Sequence, residues 1–268
     1  MELRALGATG IEVSAVGLGT VKLGRKQGVK YPAPFELPSD AHAAALFDEA
    51  RSLGINLVDT APAYGSSERR VGEMIARDRN RWVVVTKAGE WFEGGRSRFD
   101  FSERALSESV RSSCERLGVE RVDVVLVHSD GRDERIVEDD GALASLGRLK
   151  HAGLCRAIGM SVKSARGAEV AMDHGAEVLM VGYNLGDRSM GGVIERAWSR
   201  GVGVLIKKGL DSGHAASDQG GAGGSGVRRS LELVLGTRGV SSLVIGTIDP
   251  GHLREDVRIA ESVLAGGR

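Results

Sequence analysis

The chain has no excess of charge of either sign. Its 36 basic and 36 acidic side chains give a formal net charge of zero over 268 residues. Neither sign gathers into a long block, which argues against a nucleic-acid surface or a basic membrane-attracting patch and favours a small neutral or weakly charged substrate. Long apolar runs are missing too. No stretch of about eighteen apolar residues is available to span a bilayer, and the opening MELRALGATG lacks the apolar core of a secretory signal. A soluble, cytoplasmic protein with no membrane or nucleic-acid partner is expected, and with no exposed apolar stripe in the pattern, a monomer. Cysteine is nearly absent. Cys114 and Cys155 lie far apart, and although His151 precedes Cys155 by four positions, no further ligands cluster there. No metal site is expected, and both cysteines read as small buried apolar side chains. A glycine-rich dinucleotide fingerprint is also lacking. GLGTVKLG has no third glycine opening a helix, which disfavours a doubly wound open sheet.

What is present is a repeat. With 41% hydrophobic residues the chain can bury a full core, and its length suits one α/β barrel or two ordinary domains. Two short segments, Leu3 to Leu6 and Ile11 to Val13, flank Gly7-Ala-Thr-Gly10 and suit a hairpin capping one end. A unit of apolar strand, loop and helix then recurs. The pattern predicts strands at Ser14 to Thr20, Leu57 to Asp59, Trp82 to Lys87, Val122 to His128, Cys155 to Met160, Val178 to Tyr183, Val202 to Ile206 and Ser242 to Gly246. Helices are predicted from a Ser39-Asp40 cap through Leu53, from Ser66 or Ser67 to about Arg77, and from Ser102 to Leu117. Others follow at Gly141 to His151, Ala165 to His174, Gly192 to Arg200, around Leu231 to Leu235, and Pro250 to Leu264. Strands apolar on both faces, alternating with helices, require parallel pairing with helical crossovers. Eight units in about 250 residues make a single (β/α)₈ TIM barrel domain over 1–268, an α/β fold with an N-terminal β-hairpin cap. The Gly/Ser-rich stretch Ser212 to Gly226 reads either as a mobile loop on the site-bearing face or as a passive linker.

Three successive strands end on a polar group: Asp59 in LVDTAPAYG, Lys87 in VVVTKAG and His128 in VDVVLVHSD. In parallel barrels the chemistry sits at these carboxyl ends. A carboxylate ending an apolar strand needs a cation, since an unpaired buried charge costs roughly several kcal/mol, and Lys87 can supply it. Tyr64 lies five places after Asp59. A phenol, of ordinary pKa about 10, can act as a proton donor to a developing alkoxide when a cation sits beside its oxygen. Lys87 can be that cation, with Asp59 fixing it and the His128 imidazole meeting the substrate oxygen.

The motifs DTAPAYG, TKAG, LVHSD and RAIGMS, in that order and each at a strand end, together with VGLGT, YNL at Tyr183 and VIGT, make the whole chain similar to the aldo-keto reductase superfamily. The resemblance implies NAD(P)H-dependent reduction of aldehydes or ketones, with Tyr64 as general acid supported by Lys87, Asp59 and His128. It also implies a set of cofactor contacts. These are Gly19 and Thr20 at the end of the first strand, Ser161 on the nicotinamide carboxamide, Asn184 near the ring, and Lys207 or Lys208 where relatives carry an aromatic platform. Val162 and Met180 stand where an asparagine and a glutamine are usual. Gly246, Thr247 and His252, with amides at the start of the last helix, fall where the 2′-phosphate would be met. Asp256 faces the adenine, and Arg254 points elsewhere by helical spacing. NADPH is the cofactor implied, with NADH possible because a basic pair is missing near Gly246. Trp91, Phe92, the Tyr31 to Phe35 loop and Val21 are candidate pocket residues for a small carbonyl or alcohol substrate. Two other classes fit the same sequence: an NAD-dependent aldose or sugar dehydrogenase, and a cofactor-binding regulatory protein with little turnover.

Overall fold

The computed structural model describes residues 1–29, 34–211 and 224–266. Tyr31 and most of the Ser212 to Gly226 stretch lie outside the described residues. In chain order the strands are β1 (Leu3–Ala5), β2 (Glu12–Ser14), β3 (Val16–Gly19), β4 (Leu57–Asp59), β5 (Val83–Ala88), β6 (Glu90–Glu93), β7 (Arg96–Phe99), β8 (Val122–His128), β9 (Cys155–Ser161), β10 (Val178–Gly182), β11 (Gly203–Lys207) and β12 (Val240–Ile245). β1 and β2 form the expected antiparallel cap, with Arg4 opposite Val13. Eight strands close into a parallel barrel in the order β3-β4-β5-β8-β9-β10-β11-β12, β12 pairing back to β3. The protein is thus the (β/α)₈ barrel the repeat predicts.

The helices are α1 (Val21–Gly24), α2 (Asp40–Ser52), α3 (Ser67–Ile75), α4 (Glu103–Leu117), α5 (Asp133–Glu138), α6 (Ala142–His151), α7 (Ala165–Asp173), α8 (Gly191–Ser199), α9 (Gly224–Gly236) and α10 (Pro250–Gly266). Ser39 and Ser102 cap α2 and α4 by accepting the amides of His42 and Ala105, and Gly118 ends α4 in the left-handed conformation at φ +65°. Ser66 makes no such cap, and the Ser67 hydroxyl turns to Thr20 instead. α3 then tightens into a 3₁₀ turn over Ala76–Arg81. Three elements were not legible in the sequence. One is the antiparallel hairpin β6–β7, which lies outside the barrel and has Trp91 opposite Arg98. The others are the short helices α1 and α5.

Strand alternation sorts the core into two layers. Leu57, Val83, Val85, Val124, Leu126, Ala157, Val178, Met180 and Leu205 pack inside the barrel, together with Leu6, Ile11 and Val13 from the cap. Their neighbours Val58, Val84, Val125, Val127, Ile158, Leu179, Val181, Val204 and Ile206 face outward into the layer covered by helices. The interior is therefore filled, and the hairpin plugs its amino end. Continuing the inward parity to the end of each strand leads to Asp59, Lys87, His128, Ser161, Gly182 and Lys207. The carboxyl-end mouth is where the inward face turns polar. No described helix is long and apolar enough to cross a membrane.

Candidate active site

Asp59, last residue of β4, and Lys87, on β5, are buried, and the Lys87 ammonium lies 2.6 Å from the Asp59 carboxylate. Lys87 also donates to the Thr60 carbonyl at 2.9 Å. These bonds fix the ammonium 4.7 Å from the centre of the half-buried Tyr64 ring. Tyr64 is held by a 3₁₀ turn, Pro62–Tyr64, whose closing bond runs from the Tyr64 amide to Ala61. The turn exits through Gly65 at φ +62°, where an added Cβ would stand 2.2 Å from the Gly24 carbonyl. Only glycine permits that backbone and that approach. His128, at the end of β8, meets Tyr64 edge to face with ring centres 6.1 Å apart. The four residues predicted as catalytic share one corner of the mouth.

The electrostatics of this corner follow from burial and charge. Burial raises the Tyr64 phenol above its ordinary pKa, opposed by Lys87 and reinforced by Asp59 and Glu90. Burial works against the Lys87 charge, but Asp59 and Tyr64 outweigh it and the pKa rises. At neutral pH the corner therefore holds a protonated phenol beside a permanent ammonium. For His128, burial lowers the pKa against the pull of Glu90, and Lys87 and Lys207 lower it further. The imidazole is neutral.

Glu90, at the start of β6, joins this corner without having been singled out from the sequence. Its carboxylate lies 2.7 Å from His128 Nδ1, out of line with the ring N–H. It also accepts the Ser97 hydroxyl at 2.5 Å and has Arg25 3.9 Å away. Despite burial, His128, Ser97 and Arg25 hold it down to about 2. A carboxylate only accepts, so this close approach favours the tautomer with the proton on Nδ1, which leaves Nε2 as the acceptor of the neutral ring. The only sequence cue was an acid two places past the strand that carries Lys87, at the start of a hairpin that the pattern did not reveal.

The cofactor candidates fall into three groups. Ser161 and Lys207 meet directly: Lys207 Nζ donates to Ser161 Oγ at 2.8 Å and to the Val162 carbonyl at 3.1 Å. Gly19, Thr20 and Asn184 are already committed within the fold. A Cβ on Gly19 would meet Val244 at 2.9 Å. The Thr20 hydroxyl donates to the Asp59 carbonyl at 2.8 Å. Asn184 donates to the Lys208 carbonyl at 3.1 Å and accepts the amides of Gly186 and Asp187, steadying the left-handed Lys208 backbone. The third group is the turn into α10, which holds Gly246, Thr247, His252 and Asp256. There the amides of Gly251 and His252 are capped by the Asp249 carboxylate at 2.7 and 3.1 Å, and Thr247 Oγ1 accepts the Asp249 amide. Burial pushes Asp256 up to about 6. Arg254 points away, bidentate to Glu49 at 2.8 and 2.6 Å.

Of the candidate pocket residues, Trp91 and Phe92 lie on the outer hairpin beneath Arg98 and Arg25, and Val21 opens α1. Cys114 and Cys155 are buried free thiols, and the described residues include no cluster of three or more potential metal ligands.

The barrel mouth thus carries a buried Asp–Lys pair against a tyrosine, with a histidine beside it. The aldo/keto reductase family model matches residues 15–217, and the chain belongs to that family. L-galactose dehydrogenase of Arabidopsis thaliana is 37% identical over 60% of this chain and 48% of its own length. The match thus reaches about half of that relative. Pyridoxal 4-dehydrogenase of Microbacterium luteolum is 30% identical over 82% of this chain and 74% of its own, and the NADH-specific methylglyoxal reductase of Escherichia coli is 30% identical over 69% and 60%. A Pseudomonas aeruginosa protein of known structure, classed with the aldo-keto reductases, superposes with a TM-score of 0.88 at 42% identity over 98% of this chain and 95% of its own. The holo form of an aldo-keto reductase from Bacillus halodurans shares the fold, with a TM-score of 0.82 at 22% identity over 97% and 91%.

Proposed function

We propose that this oxidoreductase interconverts small polar aldehydes or ketones and their alcohols, with NADH as hydride donor and Tyr64 as proton donor. The observation that carries the reading is the buried Asp59–Lys87 pair set against the Tyr64 phenol. The donor set suits a flat, amide-bearing ring. Ser161 and Lys207 offer a hydroxyl and an amine side by side, and a Cβ on Gly182 between their strands would meet nothing within 4 Å. When bound, the reduced nicotinamide supplies the hydride. The protein's own part is to protonate the oxygen that gains negative charge. Lys87 stabilises the phenolate left behind, Asp59 keeps Lys87 charged and fixed, and the filled barrel floor excludes water from beneath.

NADH is preferred to NADPH in this reading because, among the described residues, the turn into α10 presents no unpaired arginine to a dianion. The capping amides of α10 already hold a carboxylate, and Arg254 is neutralised by Glu49. A 2′-phosphate there would face Asp249 without an arginine fork. A second reading, oxidation of a sugar hydroxyl by NAD, is favoured by the Glu90 contact, since a neutral His128 with its proton on Nδ1 can accept a proton at Nε2. The sugar dehydrogenase among the relatives fits it. The test is a fluorescence titration with NADH and NADPH, followed by small aldehydes, ketones and aldoses. NADH oxidation by an aldehyde supports the first reading, and aldose oxidation only with NAD supports the second. Tighter NADPH binding overturns the nucleotide assignment, and binding without turnover overturns both chemical readings.

A further inference from the structure

Lys207 is the one inward-facing cation of the described mouth that is not paired with an acid. It ends β11, opposite Gly182 in register, and its side chain crosses the end of β10 to reach Ser161 and Val162 on the far side. Both partners are neutral oxygens, and Lys207 forms no ion pair among the described residues. Lys87 differs, because Asp59 cancels its charge. The charges that bear most on Lys207 are mostly cationic: Lys208 on its own strand end, Lys87 from β5 and Lys163 after β9, with Asp133 of α5 opposing them. Asp133 is occupied already, accepting the Lys163 and Ser164 amides and the Ser164 hydroxyl. His128 of β8 also feels the Lys207 charge, and the carboxylate near His128, Glu90, is engaged with it. Burial and the surrounding lysines bring the Lys207 amine down to about 7, so its proton is held loosely at physiological pH.

Barrel order fixes where this charge stands. β4 and β5, which carry Asp59 and Lys87, lie across the closed ring of eight from β10 and β11. A hydride donor that serves a carbonyl at Tyr64 must occupy the mouth between these two sides. A nicotinamide is neutral when reduced and cationic when oxidised, so its charge changes by one unit at that place.

We propose that Lys207 makes the mouth select the reduced over the oxidised nicotinamide cofactor, by holding an ammonium where the oxidised ring must bring its own positive charge. The inference rests on the functional reading above and goes beyond it. Two unit charges some 7 Å apart, at an effective dielectric constant of about 20, change a binding ratio on the order of tenfold to a hundredfold. Selection is strongest below pH 7, where Lys207 is protonated, and relaxes as the pH rises and the amine becomes neutral. By linkage, the oxidised cofactor lowers the Lys207 pKa when it binds, and the reduced form does so far less. The effect speeds release of the oxidised cofactor and, because it favours the bound reduced form, shifts the on-enzyme hydride-transfer equilibrium toward the reduced cofactor.

The experiment is equilibrium binding of NADH, NAD, NADPH and NADP by calorimetry at pH 6.5, 7.5 and 9, with the wild type, Lys207→Met and Lys207→Arg. The quantity read is the ratio of oxidised to reduced Kd within each pair, in which the 2′-phosphate cancels. The expected wild-type ratio is at least tenfold above that of Lys207→Met at pH 6.5 and falls toward it by pH 9. Lys207→Arg, charged throughout, keeps the high ratio at pH 9, which a merely structural role for the side chain would not produce. Equal, pH-independent ratios in all three proteins, with binding intact, overturn this inference and leave the functional reading standing. Failure of the wild type to bind any of the four overturns both.

Discussion

Replacing Glu90 by glutamine keeps its shape and removes its charge, and the outcome can be worked out from its neighbours. Holding the carboxyl at about 2 instead of 4.5 corresponds to about 3 kcal/mol at about 1.4 kcal/mol per pKa unit. That is an upper bound. The His128 partner is neutral at pH 7 and the carboxylate has a solvent edge, so about 1–2 kcal/mol is expected for Glu90→Gln, or a Tm lower by about 3–6 °C. The pH dependence has two limbs of opposite sign. The folded-state pKa of His128 is depressed, so the cost of a buried imidazolium appears as pH falls through the unfolded-state value of about 6.5. Without Glu90 to oppose the depression that cost is larger, and the gap between wild type and variant widens from pH 8 to pH 5. Glu90 itself is a depressed acid. Its contribution is complete above the unfolded value of about 4.5 and is lost as pH falls toward 2, so the gap narrows again below pH 4. Urea unfolding of both proteins at pH 8, 5 and 3 reads the profile. A gap that is zero, or constant across the three, refutes the coupling of Glu90 to His128.

Three other outcomes are expected. Tyr64→Phe lowers the single-turnover rate of NADH oxidation by an aldehyde by about 10²–10⁴-fold and leaves the NADH Kd within about twofold; Lys87→Met does nearly the same, and near-full activity in either removes the proposed acid. Asp249→Ser keeps a helix cap and deletes the carboxylate, so the NADPH Kd falls several-fold relative to that of NADH in paired titrations. Gly65→Ala forces a side chain into a left-handed backbone and against the Gly24 carbonyl, destabilising the fold by about 2–3 kcal/mol, and an unchanged Tm would show that the Tyr64 turn is more pliable than its geometry indicates.

The repeat, the strand ends at Asp59, Lys87 and His128, and the caps at Ser39 and Ser102 were legible from the chain, because each rests on local pattern. Strand segments of three to seven residues broken by caps and glycines leave few alternatives to a parallel barrel. Lys207 and Lys208 could not be told apart by spacing alone. The register of β11 with β10, which sets Lys207 opposite Gly182, assigns the inward side to Lys207. Glu90 was illegible for a related reason: its meaning depends on a hairpin that folds back over the mouth and on a histidine 38 positions later. The amides at the start of the last helix read as an anion site in the sequence, and only the turn geometry brings Asp249 onto them.

The sequence by itself determined which strands form the barrel and the chemistry at the end of each, since these follow from the alternation of apolar runs with helical periods and from side-chain type. The tertiary structure alone decided which of those ends face one another across the closed barrel. It bears out the Asp59–Lys87 pair expected from the strand ends, adds the pairing of Glu90 with His128 and of Arg254 with Glu49, and leaves Lys207 without an acid among the described residues. Long-range charge pairing is set by distances between groups remote in sequence, which no local pattern encodes.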